Sequence, residues 1–271
     1  MSEAPRAARF GDLGVRVASG VALAAAGLAA IWLGGLWLTG PVALAAALML
    51  WELHRVVTGD GGIDAAPMFV AAVAAAGAVV ATDLRGLAEG AAVVAIGLFV
   101  VALMAPKGVR GWLAAGLIYV ALAMCFAVVL RGTPGIGRAL AIWLALVVVA
   151  ADVGAYFVGR AVGGPKLWPA VSPGKTWSGA VGGLAAAVLV GVAVAMAHGW
   201  APARLGLVSA ATAVASQAGD LLESALKRRF GVKDSSRLIP GHGGVMDRLD
   251  AIMGALWFVA LWRLFGGAVG P

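Results

Sequence analysis

The run from Arg138 to Val158, RALAIWLALVVVAADVGAYFV, decides the fold, because it is apolar almost throughout and its one acid is Asp152. About 20 mainly apolar residues in a helix match the hydrocarbon core of a bilayer. Working outward, comparable runs fall near residues 14–33, 35–51, 65–82, 87–105, 111–130, 138–158, 178–198, 203–222 and 249–266, with polar or Gly/Pro punctuation between them. The expectation is an all-α integral membrane protein with about nine transmembrane helices. Hydrophobic residues make up 62% of the 271 and charged residues only 12%, so no length remains for a separate soluble domain, and residues 1–271 read as one polytopic domain. The single Cys125 lies in the apolar stretch Leu122 to Leu130, which excludes an internal disulfide and a cysteine-based metal cluster.

With the N-terminus in the cytoplasm, fifteen of the twenty Lys and Arg residues fall inside; Arg85, Arg131, Arg138, Arg204 and Arg263 fall outside. That asymmetry follows the positive-inside rule, and an odd span count then puts the C-terminus on the far side. Arg6, Arg9 and Arg16 precede the first run as they would in a secretory signal, but eight more runs follow, so it reads as a retained helix. The net charge of +7, without an extended basic domain, fits anionic headgroups and phosphorylated substrates and not nucleic acid.

Two polar islands interrupt the pattern, Gly159 to Ser178 and Asp220 to Asp250. Five of the thirteen acids, Asp220, Glu223, Asp234, Asp247 and Asp250, crowd into the second island with six cations and His242. A charge run is usually a solvated face, but this one starts and ends against apolar runs, and carboxylates at a bilayer boundary are costly unless they function. On helices, Asp220, Glu223 and Lys227 share one face, as do Asp247 and Asp250. Facing acid pairs repel unless cations intervene, and hard oxygen ligands with room for substrate phosphates suit Mg²⁺, with Asp220, Asp247 and Asp250 as ligands and a second cation left open. Asp152 is either a further ligand or a partner for Arg160, and its isolation within an apolar run favours the first. Lys227, Arg228, Lys233, Arg237 and Arg248 would meet phosphate charge, and the turn Pro240-Gly241-His242-Gly243-Gly244 would let backbone N–H groups approach an anion, with His242 touching phosphate or leaving group.

In the first island Ser172-Pro173-Gly174-Lys175-Thr176 looks like the tail of a P-loop, but Pro169 stands where that motif needs its first glycine. Ser172, Lys175 and Thr176 are instead expected at the start of a helix, where free N–H groups favour an anion.

Ser224-Ala225-Leu226-Lys227-Arg228, then Lys233-Asp234, Pro240-Gly241-His242-Gly243-Gly244 and Asp247-Arg248-Leu249-Asp250 together resemble the signature of phosphatidate cytidylyltransferases (CDP-diacylglycerol synthases). The resemblance extends to Asp152 through Arg160, Ser172 to Thr176 and Gly219 to Ser224, so residues 141–271 read as the catalytic half, with the active-site segment at 220–250, and residues 1–140 as N-terminal spans. Ser178 departs from the family, which usually has a glutamate there. The resemblance implies transfer of the cytidylyl group of CTP to phosphatidic acid, giving CDP-diacylglycerol and pyrophosphate for phospholipid biosynthesis. It further implies Mg²⁺ dependence, a homodimer, and a bacterial inner membrane with the active site facing the cytoplasm. A transporter would place its charges near the midplane on broken helices, and the Asp-x-x-Asp-Gly-x-x-Ala-Arg pattern of CDP-alcohol phosphotransferases is absent.

Overall fold

The computed structural model describes residues 6–59 and 65–270, with side chains from residue 18 onward; Arg6, Arg9 and Arg16 lie outside the described side chains. Each expected run is a helix: α1 (Arg6–Leu33), α2 (Leu36–Thr58), α3 (Ala66–Arg85), α4 (Leu87–Met104), α5 (Lys107–Gly132), α6 (Gly137–Val162), α7 (Trp177–His198), α8 (Pro202–Arg229) and α9 (Met246–Leu264). Among the described residues seven of these, α2 to α8, are long and apolar enough to cross a membrane. The described apolar part of α1 is the shorter Ala18–Leu33, and α9 opens on three charged residues, Asp247, Arg248 and Asp250. The chain is an all-α integral membrane protein.

Short connections make successive helices antiparallel. The tightest is Gly86 alone between α3 and α4, and Gly34-Gly35 joins α1 to α2 with both residues at positive φ, 67° and 51°, a conformation that side chains with a Cβ resist. The carbonyls left over at the end of α1 are taken by Arg131 of α5, whose Nε donates to Ile31 O at 2.6 Å and Nη2 to Trp32 O at 3.2 Å. Arg138 lies over the Trp32 ring, Arg263 reaches Thr133 Oγ1, and Arg204 bonds Gly270 O, so four of the five arginines expected on the far side gather at one end of the bundle. Both polar islands lie at the opposite end.

Small residues set the helix spacing. On α7, Gly179, Gly183, Ala187, Gly191 and Ala195 recur every fourth residue and are buried, and α6 packs along them: a Cβ on Gly183 would collide with Ala151 O. The crossing of α8 and α9 is as close, since a Cβ on Gly219 would lie about 2.5 Å from Asp250 O. Where the chain leaves α6 it forms a hairpin, β1 (Lys166–Trp168) against β2 (Ser172–Thr176), before α7 begins.

Candidate active site

The second island is built on α8 and α9. The expected end of α8 at residue 222 is too early, for the helix continues to Arg229. Its charged last turns stay helical because Lys227 and Glu223, at i and i+4, form an ion pair at 2.6 Å. The same ammonium crosses to Asp247 Oδ1 at 2.6 Å. Glu223 and Lys227 are only 7% and 9% exposed, so neither charge could stand there without the other. Glu223 Oε1 is buried and accepts no hydrogen bond, which leaves one carboxylate oxygen at the edge of the cavity.

Asp247 is saturated by protein donors. Beyond Lys227, its Oδ2 accepts from Gly244 N at 2.7 Å, Ser235 Oγ at 2.9 Å and Ser235 N at 3.0 Å. The Pro240–Gly244 turn therefore does offer a backbone N–H to an anion, but the anion is the chain's own Asp247. Gly243 holds φ +82°, and a Cβ there would lie 2.7 Å from Asp247 Oδ2. A second internal carboxylate, Glu52 of α2, is wholly buried and takes Ser236 Oγ at 2.6 Å, Ser235 Oγ at 3.1 Å, Met246 N at 2.6 Å and Val245 N at 2.9 Å. The segment from Ser235 to Met246 is thus wrapped around two acids.

Three other acids have fewer protein donors than Asp247. Asp152, Asp220 and Asp250 line one cavity of about 450 Å³ with Glu223, Lys227, Asp234, Asp247 and Arg248. Asp250 bonds the N–H of Ala251 at 2.7 Å, and Asp220 accepts from Ser224 Oγ at 3.3 Å and pairs with Lys175 at 2.5 Å. A second cavity of about 600 Å³ opens beneath the hairpin and shares Asp152 and Asp220 with the first; Lys175, Arg160 and Lys166 bring cations to it, and Gly159, Gly174 and Gly179 leave it room. Asp152 has not joined Arg160, whose Nη1 instead donates to Tyr156 Oη at 3.2 Å. Among the described residues no three acidic, His or Cys side chains close a cage able to hold a metal ion alone. What Asp152, Asp220 and Asp250 offer are carboxylate oxygens, the donor type that Mg²⁺ takes.

The first island corrects one expectation. Ser172 and Lys175 do not begin a helix but lie on β2, and only Thr176 stands at the helix start, capping α7 by accepting from Gly179 N at 3.1 Å. The reason is local: a residue before proline is driven to extended backbone, and Ser172 precedes Pro173. Ser178, in the place of the family's usual glutamate, donates to Gly163 O and ties the start of α7 to the end of α6. Arg228, Lys233 and Arg237 are exposed beside the second island. His242 turns away from the cavity, with Nδ1 2.9 Å from Ser19 Oγ of α1.

Sequence reasoning missed Glu52, Ser235 and Ser236. Glu52 carried a signal, being the acid beside the apolar run 35–51, and the cost of a carboxylate at that depth would have singled it out. The two serines carried none, since their role depends on an acid 183 and 184 residues away.

A phosphatidate cytidylyltransferase of Brucella suis is 50% identical over 164 residues, 59% of this chain and 58% of that protein. One of Haemophilus influenzae is 45% identical over 137 residues, 48% of this chain and 47% of its own, and one of Staphylococcus haemolyticus 45% identical over 113 residues, 40% and 42%. The chain thus spans about half the length of the curated relatives it matches. The model of the cytidylyltransferase family matches residues 14–265, from α1 through the end of α9 and therefore across every residue of both cavities, and the chain belongs to that family.

Proposed function

We propose that this chain transfers the cytidylyl group of CTP to phosphatidic acid, releasing pyrophosphate and forming CDP-diacylglycerol for phospholipid biosynthesis. One observation carries the reading: Asp152, Asp220 and Asp250 converge with Lys175 and Arg248 on linked cavities at one end of a membrane bundle. Such a site can be reached by a soluble triphosphate from one side and by a lipid headgroup from the bilayer. The names of the relatives support the same substrates.

In the reaction a phosphate oxygen of phosphatidic acid attacks the α-phosphorus of CTP, and the bond to the β-phosphate oxygen breaks. A phosphate monoester is already nucleophilic near neutral pH, so orientation and charge neutralisation matter more than a general base. Lys175 and Arg248 would hold triphosphate oxygens, with Lys233, Arg237 and Arg228 drawing the anion in from water. Asp220 and Asp250, with Asp152, would hold Mg²⁺. The ion supplies neutralisation of charge on the leaving pyrophosphate. Asp247 and Glu223 fix Lys227, and Asp247 also fixes the segment before α9. The positive-inside asymmetry supports a cytoplasmic site, and a bacterial inner membrane and a homodimer belong to the same proposal. The test is pyrophosphate release from CTP by the detergent-solubilised protein, with and without phosphatidic acid. Release that needs both supports the assignment; release indifferent to the lipid overturns it.

A further inference from the structure

Glu52 sits on α2, in the half of the chain that sequence reading treats as plain spans, yet among the described residues its side-chain hydrogen bonds come from the segment leading into α9. Its four hydrogen bonds divide two to each oxygen. Oε1 accepts from Ser236 Oγ and Val245 N, and Oε2 from Ser235 Oγ and Met246 N. The hydroxyls can rotate, but the two backbone N–H groups cannot, and each faces a different oxygen. An amide in place of the carboxylate would turn its NH₂ onto one of those N–H groups in either orientation. The position therefore demands a carboxylate and not merely a polar side chain.

Val245 and Met246 open α9, where N–H groups have no acceptor within the helix and negative charge is favourable. No side chain of the segment itself caps that helix. Glu52 fills this role from another helix, packed so closely that a Cβ on Gly244 would collide with its Oε1. Ser235 Oγ, 3.1 Å from Glu52 and 2.9 Å from Asp247, shares its one proton between the cap and the carboxylate that holds Lys227. We infer that Glu52 is a positioning residue: it caps α9 from α2 and so sets the place of Asp247, Arg248 and Asp250 against α8. A second grip comes from α1, where Ser19 Oγ meets His242 Nδ1 and Pro240 O. Through these contacts the N-terminal helices complete the site.

The activity arm of the test rests on the proposed cytidylyl transfer; the exchange arm does not. The full chain is placed in lipid nanodiscs as parent, Glu52→Gln, Ser236→Ala, and Glu89→Gln as an exposed-acid control. Backbone hydrogen exchange, kcat and the KM for CTP are measured for each. Glu52→Gln is expected to raise exchange across residues 234–247 at least about tenfold while α3 and α4 exchange as in the parent, and to lower kcat at least about tenfold. Ser236→Ala, which leaves three of the four bonds, is expected to shift the same segment less, and it carries the test if Glu52→Gln fails to fold. Glu89→Gln is expected to match the parent. A uniform rise in exchange over all helices, or parental exchange at 234–247 in both variants, overturns the inference. A parent that transfers no cytidylyl group overturns the proposed function and leaves the exchange result to decide the role of Glu52.

Discussion

Asp247 and Asp250 stand one helical turn apart and look equivalent in sequence, but their hydrogen bonds differ, and replacing each by asparagine separates the roles proposed for them. Among the described residues Asp250 accepts one hydrogen bond, from the N–H of Ala251 next to it at 2.7 Å, which an asparagine oxygen keeps. The folded state should therefore lose under about 1 kcal/mol. If Asp250 stabilises charge only as pyrophosphate leaves, turnover should fall about 10²–10³-fold, roughly 3–4 kcal/mol. Asp247 behaves otherwise. Asparagine can keep its oxygen toward Gly244 N and Ser235 N, which puts its NH₂ against the Lys227 ammonium, now 2.6 Å from Oδ1. Removing one partner of a buried ion pair costs about 3–5 kcal/mol, and the low end applies because Lys227 retains Glu223. Both variants are purified in the same detergent, followed by thermal unfolding, and assayed over a wide Mg²⁺ range. Asp250→Asn should melt like the parent and be nearly inactive at every Mg²⁺ concentration. Asp247→Asn should unfold at distinctly lower temperature. The reasoning is refuted if Asp250→Asn keeps more than about a third of parental turnover, an effect under roughly 1 kcal/mol, or if Asp247→Asn melts with the parent.

Three further outcomes are expected. Lys175→Ala removes the ammonium that reaches Asp220 and, in the proposed complex, the triphosphate; hydrogen bonds to charged groups are worth about 1.5–3 kcal/mol, so the KM for CTP should rise about 10–100-fold, checked by steady-state kinetics at saturating lipid. Gly219→Val puts a side chain into the backbones of Asp250 and Gly254, which cannot yield, and overpacking of this kind costs about 1–3 kcal/mol or more; the melting temperature and activity should both drop, while Gly111→Ala, with open space around it, should change neither. Excess chelator should abolish turnover and restored Mg²⁺ should return it, as followed by pyrophosphate release, because open carboxylates cannot bind a triphosphate without a cation.

The nine helices were legible because each is announced by some 20 consecutive residues, a signal that survives errors at its ends. Helix ends were not. At α8 the sequence turns polar after Leu222, yet Glu223 and Lys227 satisfy each other on the helix surface, so polarity did not mark a stop. The Ser172–Thr176 element was legible as a cap only at Thr176, because whether the residues before it pair with Lys166–Trp168 depends on a hairpin that hydropathy does not register. The acids at 220, 223, 247 and 250 were legible as one cluster, but not the division among them. Which carboxylate is consumed by its own chain and which stays open is decided by where Lys227 and the N–H groups of Ser235 and Gly244 point. Glu52 could be noticed as a costly acid beside the run 35–51, but its role could not, its donors lying 183 to 194 residues away.

The central claim is that the cavity shared by α6, α8 and α9 moves the α-phosphate of CTP onto a lipid. The most direct measurement supplies the purified protein, in nanodiscs containing phosphatidic acid and with Mg²⁺ present, with CTP radiolabelled at either the α- or the γ-phosphate, and separates lipid from water. The account predicts α-label in the lipid phase, co-migrating with CDP-diacylglycerol, and γ-label in water as pyrophosphate, with Asp250→Asn blocking both. Label from the γ-phosphate in the lipid, or no lipid label from either, would contradict it.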